Sequence, residues 1–407
     1  MTSLRGILRT SVLLITAAIL ASCGRPIAQA ELPGGNPVVI PFENHFNKIM
    51  LRTEINGTAP QSFALDTGAS ICAVKWTWAQ ASGGKIEDLG MLAIAGGEQP
   101  IRVGLLGMLS FHLDGLDFTT RRSVVVPMRN IEPYYGINID GVVGRDLFER
   151  FVVEVDFVTQ KVTLHEPRTY AATEPGSWLP MATGNGQPEI RASVTMPNGK
   201  TAPVTLAIDS GMTRALELNR PFVDSHGGAP TGAGAIVSTT PSVAGEIPVV
   251  LSRVPQVKLG AVPLTQVVTE FSRATRGELA KKNPDGLIGG DLLRRFKVVF
   301  DYPHQRLLLA PNPAVTEAFE DDMSGMELRA EGAQYAALRV QSIVPGSPAA
   351  EVGVRASDLI VSFDGRPLPA HPMETVRARL QKPGRVALEV NRGSERISVV
   401  MMLRRIV

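Results

Sequence analysis

Residues Phe63–Ala69 read Phe-Ala-Leu-Asp-Thr-Gly-Ala, and this stretch decides the fold because the chain repeats it. The second copy, Leu206–Met212, reads Leu-Ala-Ile-Asp-Ser-Gly-Met, and its Asp209 stands 143 residues after Asp66. Self-similarity at a fixed spacing is the signature of an internally repeated architecture. The sequence therefore predicts two halves of similar design.

Two further pairs of segments keep nearly the same register. Gly141–Phe148, GVVGRDLF, recurs as Gly286–Leu293, GLIGGDLL, 145 residues later. Val155–Phe157, VDF, recurs as Phe300–Tyr302, FDY, again 145 residues later. Three pairs of segments with nearly the same spacing indicate a true internal repeat, whereas a single shared tripeptide would not.

The anchors also set the predicted boundaries. We expect one repeat over residues 38–166 and the other over residues 190–311, joined by an exposed linker over residues 167–189 that is rich in Pro, Gly, Ala and Thr. Short runs of Val, Ile, Leu and Thr between turn signals indicate many short strands and few long helices. The predicted fold class is all-β.

Composition and charge exclude several classes of protein. Among 407 residues, 41 are basic and 39 acidic, so no electrostatic footprint for nucleic acid is present. The six histidines show no metal-ligand spacing such as His-Glu-x-x-His. We therefore expect neither a metal site nor a cofactor.

The paired motifs are similar to those of a known family. Asp-Thr-Gly-Ala, followed 75 residues after Asp66 by Gly-Val-Val-Gly-Arg-Asp-Leu-Phe, resembles the retropepsin-like aspartic proteases, and the resemblance holds again around Asp209. In that family two β-barrel lobes bring their aspartates together on a pseudo-two-fold axis. Since one chain here carries both motifs, the resemblance implies duplicated lobes and a monomer that suffices for catalysis.

The resemblance implies an aspartic-type endopeptidase with Asp66 and Asp209 as the catalytic pair. Two carboxyl groups a few ångströms apart cannot both ionise easily, so the pair shares one proton. The ionised member would take a proton from an attacking water, while the protonated member polarises the scissile carbonyl. Proteins or peptides are the expected substrates.

Four neighbours are expected to support the two active-site turns. Gly68 and Gly211 permit a sharp turn and a close approach of the backbone to the carboxylates. By resemblance, the hydroxyls of Thr67 and Ser210 would hydrogen-bond across the two-fold axis to the opposite turn. The Gly141–Gly144 segment and its repeat would pack behind these turns.

Other repeated carboxylates are predicted to be structural. Asp146 and Asp291 are expected to begin or cap short helices. Asp156 and Asp301 lack an adjacent glycine and lie between large apolar residues, which favours a role in forming turns.

Some residues depart from the family pattern. Met212 stands where the family has a small residue, and the cation of nearby Arg214 would favour an ionised carboxylate. The glycine-rich segments Ala95–Glu98 and Thr231–Gly234 are candidates for a flap over the substrate. A second hypothesis therefore stays open, a catalytically degenerate peptide-binding protein of the cell envelope.

The repeat ends before residue 323, where a different pattern begins. Pro345–Val354, PGSPAAEVGV, and Ser357–Gly365, SDLIVSFDG, resemble PDZ domains of bacterial envelope proteases. We expect a PDZ-like β-sandwich with two short helices over residues 323–407, which would bind a peptide as an added strand or regulate the protease. Its expected peptide-binding loop contains Gly325, Met326, Glu327 and Leu328.

The first residues are predicted to be a signal peptide, residues 1–22. The apolar run ends in Leu-Ala-Ser-Cys, which resembles a bacterial lipobox and implies lipidation of Cys23 and a membrane anchor on the periplasmic side of the envelope. Cleavage after Ala30 is the alternative and would release a soluble periplasmic or secreted protein. The remaining cysteine, Cys72, is predicted to be a buried apolar residue.

Overall fold

A computed structural model describes residues 32–92, 97, 99–172, 175–183 and 186–407. The predicted signal peptide and Cys23 lie outside these residues. Strands dominate the described part of the chain and its helices are short, so the predicted all-β fold is confirmed.

The described residues of the first half form thirteen strands. They are β1 Val38–Pro41, β2 Glu43–His45, β3 Lys48–Ile55, β4 Gln61–Leu65, β5 Ala73–Lys75, β6 Glu87–Leu92, β7 Ile101–Leu106, β8 Leu109–Leu113, β9 Leu116–Thr120, β10 Ser123–Val126, β11 Gly141–Val143, β12 Val152–Asp156 and β13 Lys161–His165.

The second half contributes ten strands among its described residues. They are β14 Ser177–Ala182, β15 Glu189–Thr195, β16 Thr201–Ile208, β17 Leu216–Leu218, β18 Ile236–Ser242, β19 Gly245–Leu259, β20 Val262–Ser272, β21 Gly286–Ile288, β22 Phe296–Asp301 and β23 Arg306–Pro311.

The C-terminal module, residues 323–407, holds six further strands. They are β24 Met326–Glu331, β25 Ala337–Ile343, β26 Leu359–Phe363, β27 Arg366–Pro367, β28 Gly384–Arg392 and β29 Glu395–Leu403.

Helices in the described residues are short and mostly connect strands. The α-helices are α1 Trp76–Ala81, α2 Glu132–Tyr135, α3 Arg145–Phe148, α4 Arg220–Ser225, α5 Gly290–Leu293, α6 Pro348–Glu351 and α7 Pro372–Leu380. The 3-10 helices are Pro33–Gly35, Glu278–Ala280 and Pro313–Thr316.

The same strand pairings occur in both halves. In the second half, β15, β16, β21, β17, β20 and β19 pair in that order, and β19 returns to pair with β15 to close a barrel. In the first half, β3, β4, β11, β5, β10 and β7 pair in the corresponding directions, and β8, which follows β7, returns to β3. In each half a parallel pair, β4 with β11 or β16 with β21, leads into the aspartate turn.

The two halves share a sheet. A hairpin ends each half, β12 with β13 and β22 with β23, and β12 pairs with β22 in antiparallel register. Phe148 of the first half packs edge-on against Phe300 of the second, with ring centroids 5.4 Å apart. The segment predicted as a linker, residues 167–189, contains β14, which fills the place between β23 and β15.

Turn and core residues agree with the sequence analysis. Asp156 Oδ1 accepts hydrogen bonds from the amides of Val158 and Thr159, and Asp301 Oδ1 accepts one from the His304 amide. Asp146 and Asp291 lie in the first turns of α3 and α5. Cys72 is buried in the apolar core.

The C-terminal module has its own apolar core, built around the inner faces of its strands and the buried side of α7. Ser347 caps α6, and its hydroxyl accepts a hydrogen bond from the Ala350 amide. Strand β24 lies at the edge of the module sheet, where it pairs only with β25. Arg253 of β19 contacts the chain just before the module and at Val407 within it, since it donates hydrogen bonds to the carbonyls of Phe319 and Val407.

Candidate active site

Asp66 and Asp209 occupy equivalent turns. Each follows the last residue of an apolar strand, β4 or β16, whose burial fixes the start of the turn. The Asp66 amide donates to the Val143 carbonyl at 3.0 Å, and the Asp209 amide donates to the Ile288 carbonyl at 2.9 Å. The parallel strands β11 and β21 therefore hold the two aspartates at matching positions.

The two carboxyl groups lie close together at the junction of the halves, since each turn approaches the carboxyl group of the other. The Gly68 amide donates to Asp66 Oδ1 at 2.7 Å, and the Gly211 amide donates to Asp209 Oδ1 at 2.9 Å. A Cβ atom on Gly68 would lie 2.7 Å from Cγ of Asp209, and one on Gly211 would lie 2.6 Å from Cγ of Asp66. Glycine is needed at both positions because each backbone touches the carboxylate of the other half.

Thr67 and Ser210 cross between the halves. Thr67 Oγ1 donates to the Ile208 carbonyl at 2.6 Å and accepts from the Ser210 amide at 3.0 Å. Ser210 Oγ donates to the Leu65 carbonyl at 2.8 Å and accepts from the Thr67 amide at 3.0 Å. Both side chains are buried, so the four hydrogen bonds form a closed network without solvent.

The electrostatics favour a shared proton. Burial raises the pKa of the Asp209 carboxyl to about 7, and the negative charge of Asp66 adds to this increase. The charge of Lys48 opposes it, because a nearby cation stabilises the carboxylate. Two carboxyl groups this close cannot both ionise easily, which favours one proton held between them.

Lys48 was not identified from the sequence. It begins β3, is 5% exposed, donates to the Gly211 carbonyl, and lies 4.5 Å from the centroid of the Tyr135 ring. A lysine at the start of an apolar strand resembles an ordinary surface residue. Only the approach of β3 to the opposite turn brings it to the aspartates.

Met212 and Arg214 take positions compatible with the paired carboxyls. The Met212 amide donates to Asp209 Oδ1 at 3.1 Å, and its side chain packs where a Cβ on Gly289 would lie. Arg214 Nε lies 2.9 Å from Glu270 Oε1, and Nη1 lies 2.8 Å from Asp321 Oδ1. The Arg214 charge is therefore balanced by two carboxylates other than the aspartate pair.

A cavity of about 2540 Å³ contains both aspartates. The turn of the β18–β19 hairpin reaches residue 97 of the first half, where a Cβ on Gly97 would lie 2.8 Å from Ser242 Oγ. The flap candidate Thr231–Gly234 precedes β18 in the chain, and the β18–β19 hairpin turns at Ser242–Gly245. In the other flap candidate, Ala95–Glu98, three residues lie outside the described part of the chain: Ala95, Gly96 and Glu98.

The predicted peptide-binding loop of the C-terminal module is occupied by its own side chains. The Ser324 and Gly325 amides donate to Asp322 Oδ1 at 2.8 Å each, and the Met326 amide donates to Ser324 Oγ at 3.0 Å. Burial raises the pKa of the Asp322 carboxyl to about 6, although the Ser324 hydroxyl opposes this increase. The loop amides thus already bind a carboxyl group.

The last two residues of that loop face different surroundings. Glu327 Oε2 accepts from Ser342 Oγ at 2.6 Å, and Oε1 accepts from Thr239 Oγ1 of β18 at 3.4 Å. Leu328 is buried in the module core. Glu327 therefore connects the module to the hairpin over the aspartates.

The module docks on the first half beside the cavity. Gly136 lies between Met373 of α7 and Ala330 of β24, since a Cβ there would be 2.7 Å and 3.5 Å from their Cβ atoms. Phe46 packs against the module core, and the Arg377 guanidinium lies 5.1 Å from its ring centroid. The first half therefore occupies the space between α7 and β24.

Two other kinds of site are not found in the described residues. No group of three or more His, Cys, Asp or Glu side chains there is arranged to hold a metal ion. None of the helices in this part of the chain is both long and apolar enough to cross a membrane.

Comparison with known families agrees with this geometry. Residues 51–147 match the aspartyl protease family, and the match includes Asp66 and the Gly141–Gly144 segment. Residues 339–392 match the PDZ domain family. A search of the curated proteins found no match. The chain thus combines an aspartyl protease domain with a C-terminal PDZ domain.

The crossed hydroxyl network predicts a specific loss of stability. Thr67→Val removes one donor and one acceptor and leaves the buried Ile208 carbonyl and Ser210 amide unpaired, so we expect the free energy of unfolding to fall by roughly 2–4 kcal/mol. Thr67→Ser keeps the hydroxyl and is the matched control, with a loss of about 1 kcal/mol or less. Urea denaturation measures both. Equal stability of Thr67→Val and Thr67→Ser would contradict a structural role for the hydroxyl.

Proposed function

We propose that the protein is an aspartic-type endopeptidase in which Asp66 and Asp209 activate a water molecule. The observation that carries this proposal is the aspartate pair itself, two neighbouring carboxyl groups whose turns are held together by the crossed Thr67 and Ser210 network. The raised pKa of Asp209 supports a shared proton at mildly acidic and neutral pH. The aspartyl protease match of the first half also supports it.

In this mechanism one carboxyl of the aspartate pair would act as a general base and the other as a general acid. The ionised carboxyl takes a proton from water while the oxygen of that water attacks the scissile carbonyl carbon. The protonated carboxyl gives its proton to the carbonyl oxygen, producing a neutral tetrahedral intermediate. Proton transfer to the amide nitrogen then allows the C–N bond to break, and the pair regains its single proton. No covalent enzyme intermediate is needed.

We also propose that the two halves are duplicated lobes. The family match covers residues of the first half alone. The support in the second half is the repetition of each barrel pairing in the same direction, together with an equivalent aspartate turn. On this proposal one chain provides a complete active site.

The proposal predicts cleavage of an unfolded protein such as reduced casein. Asp66→Asn and Asp209→Asn should each lower the rate by about a thousandfold or more, because either change removes a member of the acid–base pair. Cleavage should persist toward neutral pH and decline above about pH 7 as the shared proton is lost. Rates measured between pH 3 and 8 test both statements.

Asp156→Asn is the matched control, since Asp156 forms a turn away from the aspartate pair. Circular dichroism should show that all variants stay folded. If the unaltered protein binds the unfolded chain without cutting it at any pH, the endopeptidase proposal fails and a peptide-binding protein takes its place.

We propose further that the PDZ domain regulates access to the cleft. Three observations support this: Gly136 fills the space between α7 and β24, Glu327 contacts the β18 hairpin, and Arg377 lines the cavity that contains the aspartates. PDZ domains bind a peptide as a strand added beside such a groove. The docked arrangement would therefore be closed, and release of the module would expose the groove and widen the cleft.

Weakening this docking should activate the enzyme. The Tyr335 hydroxyl lies 3.1 Å from Glu132 Oε2, and the Arg329 guanidinium lies 4.7 Å from the Tyr134 ring centroid. Losing both contacts in Arg329→Ala with Tyr335→Phe should favour the open form by about tenfold and increase the cleavage rate of unfolded protein similarly. Arg339→Ala, which breaks a salt bridge with Glu331 inside the module, is the control. An unchanged or lower rate in the double variant would contradict regulation by docking.

For localisation we propose a lipid anchor at Cys23 on the periplasmic side of the cell envelope. The support is the Leu-Ala-Ser-Cys sequence after an apolar run. In a bacterial host that lipidates such sequences, the protein should sediment with membranes, whereas Cys23→Ser should not. Equal membrane association of both forms would refute the anchor, and Cys72→Ser is the control for loss of a thiol.

A further inference from the structure

Two buried glutamates lie side by side on the wall of the cleft. Glu217 of β17 and Glu270 of β20 are register partners on neighbouring parallel strands. Glu217 is 4% exposed and Glu270 is 1% exposed, yet both line the cavity that contains Asp209. Carboxyl groups are rarely buried to this extent unless a partner compensates them.

Glu270 has such partners. Its Oε1 lies 2.9 Å from Arg214 Nε and accepts a hydrogen bond from Thr240 Oγ1. Arg214 also contacts Asp321, so its single positive charge faces two carboxylates. The cluster therefore has an excess of negative charge when its acidic groups are ionised.

Glu217 lacks an equivalent partner. Its Oε1 is buried and forms no hydrogen bond with any described residue. Burial raises the pKa of the Glu217 carboxyl well above its usual range, and the charges of Glu270 and Asp209 add to the increase, with Arg214 opposing it. Leaving such a carboxyl unpaired in the interior is unfavourable, which points to a partner that arrives from the cleft.

The first half has apolar residues at the equivalent positions. In that half Ala73 pairs with Val124 in the parallel direction and with Val142 in the antiparallel direction. In the second half Glu217 pairs with Glu270 and with Leu287 in the same two directions. Ala73 and Val124 line the same cavity. One side of the cleft is thus apolar where the other is acidic.

We propose that Glu217 and Glu270 form a substrate subsite that accepts a basic side chain, lysine or arginine, of the bound peptide. A cation placed there would pair with the Glu217 carboxyl and balance the excess negative charge of the cluster. The apolar counterpart around Ala73 and Val124 would accept an uncharged side chain on the other side of the scissile bond. This inference rests on the proposed endopeptidase function, since it assigns the substrate class of that cleft.

The test compares peptides that differ at one position. In matched peptides, lysine is replaced by norleucine, which keeps the length of the side chain without its charge, at each position flanking the scissile bond. At one of these positions we expect kcat/KM to be about tenfold or more higher for lysine, because a hydrogen bond to a charged group contributes about 1.5–3 kcal/mol. Most of the effect should appear in KM, since the contact forms on binding.

Substitutions at Glu217 test whether the glutamates cause the preference for lysine over norleucine. Glu217→Gln has nearly the same shape without the charge, and Glu217→Ala copies Ala73, so in both the lysine-to-norleucine ratio should approach one. Glu278→Gln is the matched control, because Glu278 lines the cavity but pairs with Lys281 at the surface, and it should keep the ratio of the unaltered enzyme. A ratio near one in the unaltered enzyme, or a ratio that survives Glu217→Gln, would overturn the subsite.

Binding measurements separate this inference from the endopeptidase proposal. Calorimetry with the Asp66→Asn variant reports affinity for the same peptides without cleavage. If lysine peptides bind more tightly than norleucine peptides but the unaltered protein never cuts them, the subsite stands and the proposed activity fails. If the protein cuts both peptides equally and binds them equally, the activity stands and the subsite fails.

Discussion

The hydroxyls of Thr67 and Ser210 each donate to a carbonyl of the opposite half and accept from the opposite backbone amide, and the arrangement of the site depends on these four hydrogen bonds. Neither half can satisfy its own buried turn, so separating the halves would leave polar groups unpaired in an apolar environment. The network brings each turn so close to the other that Gly68 and Gly211 have no room for a Cβ atom. The contact between the carboxyl groups of Asp66 and Asp209 follows from that spacing.

The two halves have a similar backbone around the site, but their side chains differ. These differences set the electrostatics of the site. Lys48 reaches the second turn from β3, so its charge acts on Asp209. Farther along the cleft, Glu217 and Glu270 replace the apolar Ala73 and Val124 of the first half. The two halves have equivalent strand pairings, but the residues that face the cleft differ between them. Under the proposed function, this difference would suit the two ends of an asymmetric peptide.

The C-terminal PDZ domain shares the cleft with the aspartates. Its loop amides bind Asp322, and the space between β24 and α7 contains Gly136 of the first half. Arg253 of the second half donates hydrogen bonds to the carbonyls of Val407 in the domain and of Phe319 just before it, which connects the domain to that half. Under the proposed regulation, peptide binding by the domain and access to the aspartates would involve one region of the molecule.

The sequence by itself determined the all-β class and the repeated aspartate turns, because these depend on local patterns: turn glycines, alternating apolar residues, and motifs that recur at one spacing. The PDZ domain entered as a resemblance, which the family match over residues 339–392 supports. It also placed Asp156 and Asp301 in turns from their immediate neighbours. Lys48, Glu217 and the hairpin turn at Ser242–Gly245 carry no such local signal. Their roles were decided only by the tertiary structure, because the partners of a buried charge come from strands far apart in the chain, and only closing the barrels brings those strands together.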